Sequence, residues 1–168
     1  MKNLYTIILL TLLSLLMPSL AAAQSFHNVG IADASTVCSI AQDEQGIMWF
    51  GTDHGLYAYD GYRSIPHNTD ADGTPIITRV HSICIFKDKL YMATERGLMA
   101  YDIRRGRYAE RTSGGMGEMR AVTIYGGRLW YGGAQGLFSQ DLQTGTKRTE
   151  NSRLHNVYSL LPTRHGLL

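Results

Sequence analysis

The sequence predicts an all-β chain made of β-propeller blades: about three four-stranded blades and the start of a fourth, an incomplete propeller. Three observations lead there. First, one motif recurs: Val37-Cys38-Ser39-Ile40, Trp49-Phe50-Gly51-Thr52, Gly55-Leu56, Tyr59-Asp60 returns as Val80-His81-Ser82-Ile83, Tyr91-Met92-Ala93-Thr94, Gly97-Leu98, Tyr101-Asp102. It returns again, more loosely, as Arg120-Ala121-Val122, Trp130-Tyr131-Gly132-Gly133, Gly136-Leu137 and Asp141. Second, the anchors Trp49, Tyr91 and Trp130 stand 42 and 39 residues apart, and the glycines Gly55, Gly97 and Gly136 keep the same steps. A period near 40 filled with short strands and tight turns belongs to a propeller blade. Third, no segment after Ala23 sustains a helical period, and 18 glycines against 4 prolines suit a chain of tight turns.

The first copy shows how one repeat makes one blade. Val37 to Gln42 is rich in β-formers and reads as the innermost strand. Asp43 to Gly46 is a turn, shortened by one residue in the later copies, and Ile47 to Thr52 is the second strand. Asp53-His54 makes the next tight connection, with Gly55 free to take a positive φ. Leu56 to Tyr59 is the third strand. Asp60-Gly61 turns again, and Tyr62 to Ile65 forms a short outer strand before Pro66. A loop from His67 to Thr78 leads into the next blade. The blades fall at about 36–68, 79–111 and 118–149, with the next starting at 157. Such sheets are apolar on both faces because blades stack, so Trp49, Tyr91 and Trp130 are the expected wedges between them.

Val157 to Leu168 lies over Val37 to Met48 at a constant offset of 120 residues, and the next residue of the pattern is an aromatic. The chain therefore reads as a fragment that stops inside its own repeat. At the other end, Lys2, the apolar run Ile7 to Met17, Pro18 and the small residues Ala21-Ala22-Ala23 read as a signal peptide, residues 1–23, cleaved before Gln24. The expected product, 24–168, is exported. It holds 15 basic and 14 acidic residues, scattered rather than striped, which gives no electrostatic footprint for nucleic acid. Thr112 to Gly117 reads as a loose, glycine-rich loop. Cys38 and Cys84 fall at different positions of their repeats, about three residues or ~10 Å apart along neighbouring strands. That is beyond disulfide reach, so two buried free thiols are expected.

No nucleophile–base constellation stands out, and neither a cofactor nor a metal is expected. His27, His54, His67, His81, His155 and His165 are separated without metal-ligand spacing. Asp43-Glu44 and the pair Asp70 and Asp72 lie where turns call for aspartate. Gly114-Gly115-Met116-Gly117 lacks the Lys-Ser/Thr tail of a phosphate loop. One positional argument remains. If the Val-x-Ser-Ile strand is innermost, the turns between second and third strands share one end of the ring. There the dipeptides Asp53-His54, Glu95-Arg96 and Ala134-Gln135 vary on a constant framework, which makes Asp53, His54, Glu95, Arg96 and Gln135 candidates for a ligand face. Trp49, Tyr91, Trp130, Gly55, Gly97 and Gly136 are the structural anchors.

The series at Val37–Gly61 resembles the two-component regulator propeller repeat. The second copy departs from it at Tyr91 and Ala93, and the third at Gly133 and Gln140. The resemblance implies the N-terminal periplasmic sensor region of a Bacteroides-type hybrid two-component system. In that family two propellers and a β-sandwich precede a membrane helix, a histidine kinase, a receiver and a DNA-binding domain. It further implies an oligosaccharide or other small ligand, the remaining blades of a parent receptor, and a homodimer of its ectodomain. Membrane attachment comes only through downstream parts, none of whose signalling motifs this chain contains. Two other readings stay open: a propeller enzyme, either a lyase or a glycoside hydrolase, and a non-signalling adhesion or scaffold propeller. An enzyme should bring acidic or histidine side chains to several inner strands, where Ser39, Ser82 and Ala121 stand instead.

Overall fold

The computed structural model describes residues 30–31, 34, 36–109, 117–164 and 166–168. The expected signal peptide and its cleavage point, His27, His165 and the loop from Thr112 to Met116 lie outside the described residues.

Three four-stranded antiparallel sheets follow one another, each paired in simple sequence order. Sheet 1 holds β1 (Val37–Gln42), β2 (Met48–Thr52), β3 (Gly55–Tyr59) and β4 (Ser64–Pro66). Sheet 2 holds β5 (Val80–Phe86), β6 (Lys89–Thr94), β7 (Gly97–Asp102) and β8 (Arg107–Tyr108). Sheet 3 holds β9 (Met119–Tyr125), β10 (Arg128–Gly133), β11 (Gly136–Asp141) and β12 (Lys147–Asn151). A hairpin of β13 (Pro162–Thr163) and β14 (Gly166–Leu167) follows. The first strands lie side by side, β1 against β5 and β5 against β9, so the sheets stack like blades about an axis. The fold is all-β, as the repeat predicts.

Four strand limits of sheet 1 differ from those expected: β3 begins one residue earlier, at Gly55, and β4 two residues later, at Ser64, and two more have a clear cause. β4 includes Pro66, which pairs with Tyr57; an outermost strand tolerates proline because one side of it needs no ladder partner. β2 begins at Met48 because the Ile47 amide donates instead to the Asp43 carboxylate at 2.9 Å, closing the turn. The other oxygen of Asp43 accepts from the Trp49 indole at 2.9 Å, so this aspartate both shapes the turn and holds the wedge.

The Val-x-Ser-Ile motif proves to be a bulge. In sheet 2, Val80 pairs with Thr94 but Ser82 pairs with Ala93, so two residues on β5 are matched by one on β6. The same slip occurs at Val37/Ser39 and at Met119/Ala121. Plain alternation would put Val and Ser on one face; the extra residue puts them on opposite faces. Val80 and Ile83 then both enter the core between sheets 1 and 2. Ser82 turns the other way, with its hydroxyl 3.4 Å from the amide and carbonyl of Val122 in sheet 3. Ser39 likewise accepts from the Ile83 amide at 2.9 Å. Each serine is thus a link to the next sheet.

Close packing follows the same rule. A Cβ on Gly51 would come 2.7 Å from a methyl of Val80, and one on Gly132 would come 2.7 Å from Val157. In sheet 2 the residue at the equivalent position is Ala93, and the unbranched Met119 is among the side chains of its buried cluster. Trp49 joins Leu56, Leu90, Met92 and Tyr101 between sheets 1 and 2, and Tyr91 joins Leu98, Leu129, Tyr131 and Phe138 between sheets 2 and 3. Trp130 is half-buried, with its indole donating to the Tyr125 carbonyl at 3.1 Å.

The fourth copy departs from expectation. Val157–Leu160 forms no strand, although the Val157 amide donates to the Gly133 carbonyl at 3.0 Å and Leu161 and Leu168 exchange backbone hydrogen bonds. In the register of the repeat, the partners of an inner strand at Val157–Leu160 would come after Leu168. Both cysteines are free, but neither is fully buried as expected: Cys84 is half-buried and Cys38 exposed. Burial pushes the Cys84 thiol up to about 12, whereas Cys38, the bulge residue of β1, is exposed.

Candidate ligand-recognition face

The turns that carry the candidate residues are built by their neighbours. Thr52 donates to the Gly55 carbonyl at 3.0 Å and accepts from the His54 amide at 3.1 Å. Thr94 repeats both bonds with Gly97 and Arg96, at 2.8 and 3.1 Å. Both threonines are fully buried. The anchors Gly55, Gly97 and Gly136 have φ of 122°, 104° and 131°, a region that a side chain would strain. Gly55 has a second constraint, since a Cβ there would collide with Asn68, whose side-chain oxygen accepts from the Leu56 amide.

Each turn is also tied to the chain entering its sheet. The Asp53 amide donates to the Thr36 carbonyl and the Thr36 amide to Asp53 Oδ1, both at 3.2 Å. The Glu95 amide donates to the Arg79 carbonyl at 3.2 Å, and the side chains of the two residues stand 4.0 Å apart. Asp53 Oδ1 also lies 3.2 Å from His54 Nδ1. Gln135 packs over Gly117. Asp53 is therefore largely engaged in structure, while His54, Glu95 and Arg96 remain on the surface.

Side chains outside the turn dipeptides also bridge neighbouring sheets at this end. Glu118, at the entry to sheet 3, accepts from Arg120 Nε and Nη2, both at 3.0 Å. Its Oε1 is 3.2 Å from His81 Nε2 of sheet 2, within ion-pair range but off the line of a hydrogen bond. The Arg120 guanidinium sits 4.7 Å from the centre of the Tyr158 ring. The Arg120 hydrogen bond, ahead of the nearby positive charges, holds the Glu118 carboxyl below its usual range. His81 and Arg120 are bulge residues, and a bulge re-aims the side chain it carries. One signal could have found them: Cys38, His81, Arg120 and Tyr158 all stand second in the inner-strand motif, the one position of it that no two copies share. Among the described residues, no three His, Cys, Asp or Glu side chains gather closely enough to hold a metal ion. No helix among them is long and apolar enough to cross a membrane.

Comparison with known proteins agrees with this architecture. Residues 31–54 match the family described as two component regulator propeller. Two solved structures of the extracellular domain of BT4673 from B. thetaiotaomicron are each 30% identical over 85% of this chain, with TM-scores of 0.73 and 0.72. One is described as part of a putative one component system and the other as part of a putative hybrid two component system. The extracellular domain of the putative hybrid two component system BT3049 from the same organism is 23% identical over 80% of this chain and 22% of its own, with a TM-score of 0.67, and shows the fold alone. No curated protein matches the chain. The chain spans 20% of the BT4673 structures. It thus carries the two-component regulator propeller repeat, in a β-propeller fold like that of the extracellular domains of these putative B. thetaiotaomicron sensor systems.

Proposed function

We propose that this chain is part of the ligand-sensing ectodomain of a hybrid two-component system, exported to the periplasm, and that it binds rather than transforms its ligand. The observation that carries this reading is the 30% identity to the BT4673 extracellular domain, spread over 85% of the chain. The blades would run from about 36 to 68, 79 to 111 and 118 to 149, with another beginning at 157, and further blades would complete the ring.

The ligand class we assign is an oligosaccharide or similar small hydroxyl-rich molecule. Support comes from the end of the sheets where His81, Glu118, Arg120 and Tyr158 meet, flanked by Asp53, His54, Glu95, Arg96 and Gln135. Such a set offers donors, acceptors and an aromatic face, which are the elements of sugar recognition. Binding would transmit a signal by favouring one arrangement of paired ectodomains over another, because a ligand shifts a conformational equilibrium only by its difference in affinity for the two states. The test is genetic. Deleting the gene in its host and feeding a panel of oligosaccharides should abolish the transcriptional response to one of them, read by RNA sequencing. An unchanged response across the whole panel overturns the reading.

A further inference from the structure

A cavity of about 540 Å³ opens between sheets 2 and 3, at the end opposite the turns described above. Its origin lies where the repeat departs from itself. Sheet 1 joins its first two strands by Asp43–Ile47, and Asp43 reaches in to hold Trp49. Sheet 2 joins its first two strands by Lys87-Asp88 alone, and its anchor is the smaller Tyr91. The cavity lies beside this shorter connection and smaller anchor.

The lining is suited to a particular chemistry. Phe86, Tyr91 and Leu142 supply apolar surface, while Lys87, Lys89, Arg104 and Arg105 bring four cations. Two of these are neutralised, Arg104 by Asp88 at 3.5 Å and Arg105 by Asp102 at 3.6 Å. Among the described residues neither Lys87 nor Lys89 has an ion-pair partner. Lys87 is held at φ 54°, a left-handed conformation unusual for a residue with a side chain, with its ammonium 5.3 Å from the centre of the Phe86 ring. That conformation is what a two-residue hairpin connection asks of its first residue, and it fixes where the Lys87 side chain leaves the turn. The volume lies within the ~300–1,000 Å³ of small-molecule sites.

We propose that this cavity binds an acidic sugar unit, its carboxylate or sulfate on Lys87 and Lys89 and the C–H face of its ring against the partly exposed Phe86. The saccharide part of this assignment rests on the sensor reading above; the anionic part rests on the cavity. Calorimetric titration of the full-length protein with digalacturonate tests it, with neutral galactobiose as the matched control. Lys87→Gly relieves the positive φ while removing the charge, so K87G/K89A is expected to fold. Digalacturonate should bind at least about tenfold more tightly than galactobiose and lose about tenfold or more in K87G/K89A, the scale of a charge-assisted hydrogen bond. If that variant melts early, K89Q and the fall of wild-type affinity with added NaCl decide instead. Equal binding of the two disaccharides, unaltered binding by the lysine variants, no salt dependence, no heat with digalacturonate, or its displacement by equimolar inorganic sulfate overturns the proposal. The sensor reading is scored separately by transcription. A normal response in K87G/K89A removes the cavity and leaves the sensor, whereas binding without any response does the reverse.

Discussion

A serine in the middle of an apolar inner strand is explained only when the next sheet is in place. Ser39 accepts from the amide of Ile83, a residue 8% exposed, at 2.9 Å. Ser39→Ala leaves that amide without a partner and should cost about 1–3 kcal/mol. Ser82 makes longer contacts of 3.4 Å, so Ser82→Ala should cost less. Urea denaturation of both variants checks the order, and equal losses would contradict it. His67 belongs to the same scale. Its ring lies 5.1 Å from that of Trp49 and 5.2 Å from that of Tyr101, its Nδ1 is 2.7 Å from the Tyr101 hydroxyl, and its carbonyl accepts from Tyr108 at 2.6 Å. Burial lowers the His67 pKa below 6.5. The folded state therefore takes up this proton less readily than the unfolded chain, and stability falls as pH drops below about 6.5. His67→Gln should flatten this part of the pH dependence of the melting temperature. An unchanged pH slope would mean that other groups carry it.

At the scale of the element, Trp49 and Trp130 occupy equivalent positions in different surroundings. Trp49 is 4% exposed between two sheets, whereas Trp130 is half-buried on sheet 3. Trp49→Ala should cost about 3–5 kcal/mol. Trp130→Ala should match it only where a further sheet covers that face, so thermal melts of the two variants report whether such a sheet is present. A small Trp130 effect would argue against one. The strands and turns were legible because each copy repeats the spacing of its aromatic and its glycine, and because Thr52 and Gly55 act on their own turn. The bulge was not, because it changes register without changing spacing: Val80, His81 and Ser82 are consecutive positions of a motif whether the strand slips or not. Yet Val80 and Ile83, three apart and both apolar, share a face only if it does slip. For the same reason the turn dipeptides could be picked out, while the His81–Glu118–Arg120–Tyr158 cluster joins parts of three copies and appears only once the sheets are stacked. The cavity beside Lys87 was hidden too, since a shorter connection in one copy does not reveal where Leu142 of the next sheet will stand.

For the whole molecule, stacking sets how much of the chain can stand alone. Sheets in a repeat array owe their stability largely to nearest-neighbour interfaces, and the three sheets here form two. Sheet 2 is covered on both sides, and its β6 and β7 are almost wholly buried. The outer sheets each show a face. On sheet 1, Val37 is 44% and Ile40 57% exposed; beyond sheet 3, Tyr158 is 69%, Leu161 59% and Leu168 77% exposed. Apolar faces of this kind are normally covered in a propeller, and left open they favour association with other copies. Expressed by itself, 24–168 should therefore melt broadly, bind a hydrophobic dye at low temperature and elute as oligomers or aggregate in size-exclusion chromatography. Fusing a further blade to an open face should sharpen the transition, because each added sheet converts an open face into an interface. A monomer of 24–168 with a sharp thermal transition would show that two interfaces suffice. The exposed Val37 and Ile40 would then need no covering sheet to keep the inner strand of sheet 1 in place.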